Sequence, residues 1–308
     1  MAKFALLKFK IKDMKHTPKD WFVATRFWSF PVSAMPVIVA TVFLLWKGYD
    51  IRWLCAILAL VGNVMFHAAG NVLSDWWDYR KGVDNEKAYA IPQLVFHQFE
   101  PKEYLKFSAM LFAVAVCIGL VLTLMTGWQL LIIGGIGALL AASYAFFKFR
   151  GMGDIFVFVC FGVLPIIGTS FVAAGHVDWT ALVLSIPLGI FTIGVLHDNN
   201  TVDIATDREA GIRTLPMFFG EKTSVKIYIA YMVIPFVAVM VCCILGYLPY
   251  LALTCLLAVP VAFGNINAAA EYFEKGREAM LGLDQKTAKL HMIFSILLAI
   301  GLLVASFL

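Results

Sequence analysis

The side chains of this sequence best suited to chemistry fall in two stretches. In the first, Asn71, Asp75 and Asp78 are spaced four and three residues apart, and Asp84 follows closely after Lys81 and Gly82. In the second, Asn199, Asp203 and Asp207 are spaced four apart, with Arg208 and Arg213 behind them. On a helix either spacing makes one stripe, each step rising about 6 Å. Carboxylates stacked in this way repel one another unless cations sit between them. Mg²⁺ suits such a site, because it takes carboxylates together with phosphate oxygens and keeps several waters. The candidate metal ligands are therefore Asn71, Asp75, Asp78, Asp84, Asn199, Asp203 and Asp207, with Asp78, Asp203 and Asp207 as the candidate catalytic residues. Any one of these aspartates taken alone reads as a helix cap or a solvated loop charge. Two such stripes, each followed by Lys or Arg and Gly, do not.

Cations complete the pattern. Lys81, Arg208 and Arg213 follow the acidic stripes, and Lys148 and Arg150 crowd a short turn elsewhere. A diphosphate held by metals needs such partners for its outer oxygens. The plainer reading of these cations is that they mark one side of a membrane. His67, His97 and His197 lie near the stripes and are candidate bases, although a histidine at a helix end more often serves as a cap or hydrogen-bond partner.

The elements that must position these residues are membrane helices. Of the 308 residues 61% are hydrophobic and only 14% charged, about half the charged share of a soluble domain. The apolar residues fall in long runs, and a hydrocarbon core about 30 Å thick takes roughly 20 of them per helix. About nine spans are expected, near 31–46, 54–73, 107–125, 130–147, 155–174, 180–196, 227–245, 248–264 and 291–307. The expected fold is thus an all-α membrane bundle, a single domain over 1–308, with a basic interfacial segment over 1–28. Of the 24 Lys and Arg, 22 lie in the N-terminal segment or in loops after even-numbered spans. The positive-inside rule then puts the N-terminus and the long polar loops, which cap the site, in the cytoplasm. The net charge of +4 is accordingly a signal of topology, and no nucleic-acid partner is expected. The first twenty residues lack an apolar core, so no cleavable signal peptide is expected. All six cysteines lie within apolar runs without metal-ligand spacing and read as small buried hydrophobes.

At the two acidic stretches the sequence resembles the UbiA superfamily of intramembrane prenyltransferases, and within it the menaquinone-pathway branch that prenylates 1,4-dihydroxy-2-naphthoate. The resemblance rests first on Asn199, Asn200, Asp203, Asp207, Arg208, Gly211 and Thr214, and then on Asp75, Asp78, Lys81, Gly82 and Asp84. Tyr144, Lys148, Gly151, Gly153, Phe161, Gly162 and Pro165 resemble the family's fourth and fifth spans, with Arg26 and Pro31 a looser match near the N-terminus. Two features depart from the pattern. Ser74 stands where the family has Asn before Asp75, and the stretch from Tyr89 to Gln98 lacks the family's Arg-containing segment.

The resemblance implies Mg²⁺-dependent transfer of a polyprenyl group from its diphosphate to an aromatic acceptor. It implies a multi-pass protein, of a bacterial inner membrane by the branch it resembles, with the active site on the cytoplasmic side. The two stripes would grip one metal-bound diphosphate, and Lys81, Lys148, Arg150, Arg208 and Arg213 would bind its oxygens. Two other classes fit the sequence less well. A secondary transporter would place its charges near the midplane, and here they lie at helix ends. A CDP-alcohol phosphotransferase would carry an Asp-Gly-x2-Ala-Arg signature, which this sequence lacks. Another acceptor within the superfamily stays open.

Overall fold

The computed structural model of the chain describes residues 16–82, 93–94, 98–148, 150–209 and 211–308, and at 81, 141–142, 144–146 and 148 the backbone alone. Asp84 and His97, both named above, lie outside the described residues. A short interfacial helix α1 (Pro18–Ala24) opens the described chain, with a capping box between Thr17 and Asp20. After a tight turn at Phe27–Ser29 come α2 (Pro31–Trp46), α3 (Trp53–Lys81), α4 (Pro101–Thr126) and α5 (Gln129–Lys148). The helical stretches α6 (Gly153–Ala174) and α7 (Trp179–Val202) follow. Then come two short helices, α8 (Ile204–Glu209) and α9 (Leu215–Phe219), and the long α10 (Glu221–Ile244). The helical stretch α11 (Tyr250–Met280) and the helix α12 (Leu283–Ala305) close the chain.

Eight helical stretches among the described residues are long and apolar enough to cross a bilayer. α5, which stands where the fourth span was expected, is a ninth apolar helix of 20 residues. The expectation of about nine holds. Helices dominate because in hydrocarbon every backbone N–H and C=O must find its partner inside the segment. Two details differ from the sequence reading. The loop expected after the sixth span is the α8–α9 pair, and the polar stretch expected after the eighth span continues as helical turns to Met280.

α7 is the centre of the bundle, packing against α6, α10 and α12, while α12 also packs on α2 and α11. These contacts need small residues, since lipid gives apolar side chains no reason to prefer one another over the tails. Gly162 of α6 lies against Gly189 of α7, so close that a Cβ on Gly162 would sit 3.0 Å from the Gly189 Cα. At this crossing α6 widens into a π turn over Phe158–Val163 before Pro165. The cysteines are free thiols, four of them buried, as expected of apolar packing.

The end of the bundle remote from the acidic stretches is locked by Tyr49 and Asp178. The Tyr49 hydroxyl donates to Asp178 Oδ2 at 3.2 Å, and Asp178 Oδ1 accepts from the Thr180 N–H at 2.8 Å. Burial opposes the charge on Asp178, but the bonds from Thr180 and Tyr49 and the nearby Lys47 outweigh it and hold the carboxyl below its usual range.

Candidate functional site

The second stripe survives a break in its helix. α7 ends at Val202, and Asp203 leaves helical geometry with φ −94° and ψ 11°. Even so, the Asp203 N–H donates to the Asn199 carbonyl at 2.9 Å and the Asp207 N–H to the Asp203 carbonyl at 2.8 Å. Those i to i−4 bonds carry the register from α7 into α8, so Asn199, Asp203 and Asp207 stay in one row. Asp207 is buried, and Asn199 and Asp203 are half-buried. Arg277, which the sequence reading did not single out, brings its guanidinium to 3.7 Å from Asp203 Oδ1.

Asp198 anchors this stripe from behind. It is 1% exposed, and its Oδ2 accepts the backbone N–H of Asp284 at 2.7 Å, in the first turn of α12. A carboxylate at a helix N-terminus answers both the orphan amides and the dipole. The Oδ1 atoms of Asp198 and Asp284 are both buried without a hydrogen-bond partner. His197, fully buried, has Nε2 3.0 Å from the Ser224 carbonyl, to which it must donate. Its Nδ1 lies 3.8 Å from Asp154 Oδ2. Both ring nitrogens thus face protein groups, which makes His197 a brace between α7, α6 and α10.

The first stripe, at the end of α3, is tied to the N-terminal turn. Asn71 Nδ2 donates to the Thr25 carbonyl at 3.0 Å and to Ser29 Oγ at 3.1 Å. Asp75 pairs with the guanidinium of Arg26. Arg26 holds a left-handed backbone, φ 54° and ψ 49°, which costs a non-glycine residue roughly 1–2 kcal/mol. The ion pair to Asp75 and the turn that follows offset that strain. The Ser74 hydroxyl donates to Asp78 Oδ2 at 3.4 Å, so the serine found in place of asparagine supports Asp78. His67, another candidate base, is buried with Nδ1 3.0 Å from Ser33 Oγ and Nε2 3.4 Å from Ser29 Oγ.

The N-terminal turn links the first stripe to α12: Arg26 pairs with Asp75, and residues Phe27–Ser29 pack against α12. Asp284 is tied in turn to Asp198 beside the second stripe. Arg26, Arg277, Asp198 and Asp284 are the residues that sequence reasoning missed here. Each works through a partner distant in the chain, and spacing alone carries no signal for that. Of the expected diphosphate ligands, Arg150 and Arg213 are exposed. They belong to neighbouring segments, because the Phe218 ring rests where Gly151 has no side chain. A Cβ at Gly151 would come within 2.5 Å of that ring, and its φ of +77° suits glycine alone. Arg208, another expected diphosphate ligand, is exposed as well. It lies one residue, about 100°, round the helix from Asp207 and lines a separate cavity with Ile204.

The donor set fits Mg²⁺ by chemistry, being oxygen throughout. Among the described residues no three His, Cys, Asp or Glu side chains gather into a cage for a metal.

A protein-family model described as the UbiA prenyltransferase family matches residues 33–293. The human protein named UbiA prenyltransferase domain-containing protein 1 is 31% identical over 302 residues, covering 93% of this chain and 84% of its own. A solved UbiA homolog from Aeropyrum pernix, in its apo form, superposes with a TM-score of 0.67 at 16% identity, covering 89% of this chain and 97% of its own. A UbiA homolog from Archaeoglobus fulgidus, bound to GPP and Mg²⁺, superposes with a TM-score of 0.61 at 13% identity, covering 92% and 99%. With most of its length matched by the family model, and with the two acidic stripes lying inside that match, the chain belongs to the UbiA prenyltransferase family.

Proposed function

We propose that this protein transfers a polyprenyl group from polyprenyl diphosphate to an electron-rich aromatic acceptor of the 1,4-dihydroxy-2-naphthoate type, as a step of menaquinone biosynthesis. What supports the reading is the pair of oxygen-rich helix ends joined through the Arg26 turn, at the end of the bundle that carries most of the basic residues. On the positive-inside argument that end is cytoplasmic. The bacterial plasma membrane rests on the resemblance to the menaquinone branch alone, since the human relative named above is an animal protein.

Asp75, Asp78 and Asp84 on one side and Asn199, Asp203 and Asp207 on the other would hold Mg²⁺, with Asn71 offering the oxygen of an amide whose nitrogen is already engaged. When bound, the metal supplies positive charge against the leaving diphosphate. Lys81, Lys148, Arg150 and Arg213 neutralise its outer oxygens, and Arg277 joins them by turning from Asp203 to the diphosphate. The allylic C–O bond breaks with its electron pair on the diphosphate oxygen. The π electrons of the acceptor ring then form the new C–C bond. The ring regains aromaticity by losing a proton or, for a naphthoate, CO₂. The isoprenoid tail lies among the apolar spans, since its length has no place in water.

The test is purified protein with radiolabelled polyprenyl diphosphate, Mg²⁺ and a panel of acceptors, with a chelator as control. Label should move to the naphthoate and stop when the metal is removed. Label moving only to a glycerol-type acceptor would refute the aromatic half, and no transfer by folded protein would refute the whole. In the same assay Arg277→Gln should raise KM for the diphosphate about tenfold, the worth of one charge-assisted hydrogen bond. An unchanged KM would remove Arg277 from the site.

A further inference from the structure

Beside the second stripe, about 100° round α8 from Asp207, lies a cavity of about 480 Å³. This is within the size range of small-molecule sites. Its floor is apolar, with Ile204, Pro216 and Met217, and Phe219 and Tyr272 form its aromatic walls. Two cations line it, Arg208 from α8 and Lys222 from α10, and both are exposed. Neither pairs with a carboxylate among the described residues. The one carboxylate in the lining, Glu221, accepts the Tyr272 hydroxyl. The hydroxyl of Thr223 adds a neutral donor. The lining therefore carries two positive charges and one negative beside an apolar surface, a net positive site that suits an amphiphile with an anionic head.

Its place in the fold says which amphiphile. The cavity opens at the point where α10 enters the bilayer, since Glu221 and Lys222 begin a helix of 24 residues with an apolar, membrane-crossing body. Phe219 of the lining is 52% exposed, and its neighbour on α9, Phe218, is 61% exposed. Two neighbouring phenylalanines so exposed beside basic residues match a segment lying in the headgroup layer. A soluble phosphate compound would gain nothing from that apolar floor. We propose that this cavity holds the headgroup of an anionic phospholipid, its phosphate between Arg208 and Lys222 and its acyl chains running down beside α10. The lipid would brace the α8–α9 segment, which carries Asp207 and follows directly on Asp203. The site is distinct from the one proposed for the prenyl diphosphate, and its test needs no turnover.

Native mass spectrometry of the full-length protein, released from detergent micelles doped with either phosphatidylglycerol or phosphatidylcholine, reads occupancy directly. Wild type should retain one phosphatidylglycerol and no phosphatidylcholine. Lys222→Gln and Arg208→Gln should each weaken retention about fivefold, the worth of one basic residue beside an anionic leaflet. Lys226→Gln, one turn further along α10 and outside the cavity, should leave retention unchanged. Inorganic phosphate at millimolar concentration should not displace the lipid. Equal losses from all three variants would reduce the effect to general surface charge and overturn the proposal. Displacement by phosphate alone would overturn it in favour of a soluble anion, and equal retention of both lipids would remove any role for charge.

Discussion

Asp203→Asn is expected to lower prenyl transfer by at least about 10²-fold, on the scale of removing one preorganised electrostatic contact from a transition state. The residue stands at the joint between α7 and α8, where the backbone leaves the helix but keeps its hydrogen-bond register. Amide and carboxylate have nearly the same shape, so those backbone bonds and the bundle around them should persist. What goes is one negative charge in the middle of the stripe and, with it, the partner of Arg277. Transfer measured with radiolabelled substrate should collapse while the circular dichroism spectrum and melting temperature stay those of wild type. Turnover at the wild-type rate in a folded variant would take the second stripe out of the chemistry.

Gly301→Ala is expected to be among the most damaging single-methyl changes in the chain. A Cβ there would collide with the backbone carbonyl of Leu251 and stand 2.5 Å from Thr254 Oγ1. The Thr254 hydroxyl is itself tied across the same contact, 2.8 Å from the Leu297 carbonyl. A side-chain neighbour can rotate away, but a carbonyl in a helical turn cannot. α11 and α12 must therefore separate. Overpacking of this kind costs about 1–3 kcal/mol or more, and Gly301→Leu should yield no monodisperse protein at all. Gly119→Ala in α4 is the matched control, because nothing lies within 4 Å of the methyl it would add. Size-exclusion profiles after a heating series would separate the two, and equal thermal tolerance would refute the packing argument.

The parts of this fold legible in the sequence are those that a local pattern carries. Long apolar runs give the spans, and the four-residue spacing of Asn199, Asp203 and Asp207 gives a row that persists even where the helix breaks. What the spacing could not carry is which charge answers which. Arg26 meets Asp75 across 49 positions and Arg277 meets Asp203 across 74, and neither pairing is visible in the sequence, where Arg26 is a loose family match and Arg277 only a basic residue near a helix end. Asn71 shows the same limit. Its place in the first stripe suggests an oxygen ligand, yet its amide nitrogen is spent on Thr25 and Ser29, which sets the height of the N-terminal turn. Arg208 adjoins Asp207 in the second motif, and that it also lines a cavity with Pro216 and Lys222 is a fact of the folded chain that no local spacing carries.

The π turn in α6 has a bearing on the brace around His197. Such a turn carries one residue more than regular helix would over the same rise, so everything ahead of Phe158 is rotated by about 100° relative to the half that crosses α7. Asp154 lies in the rotated half, and the contact of Gly162 with Gly189 in the other. The surplus residue thus works as an angular shim. It lets a single rod seat Gly162 against Gly189 and, about two turns earlier, still aim a carboxylate at the imidazole beside the second stripe.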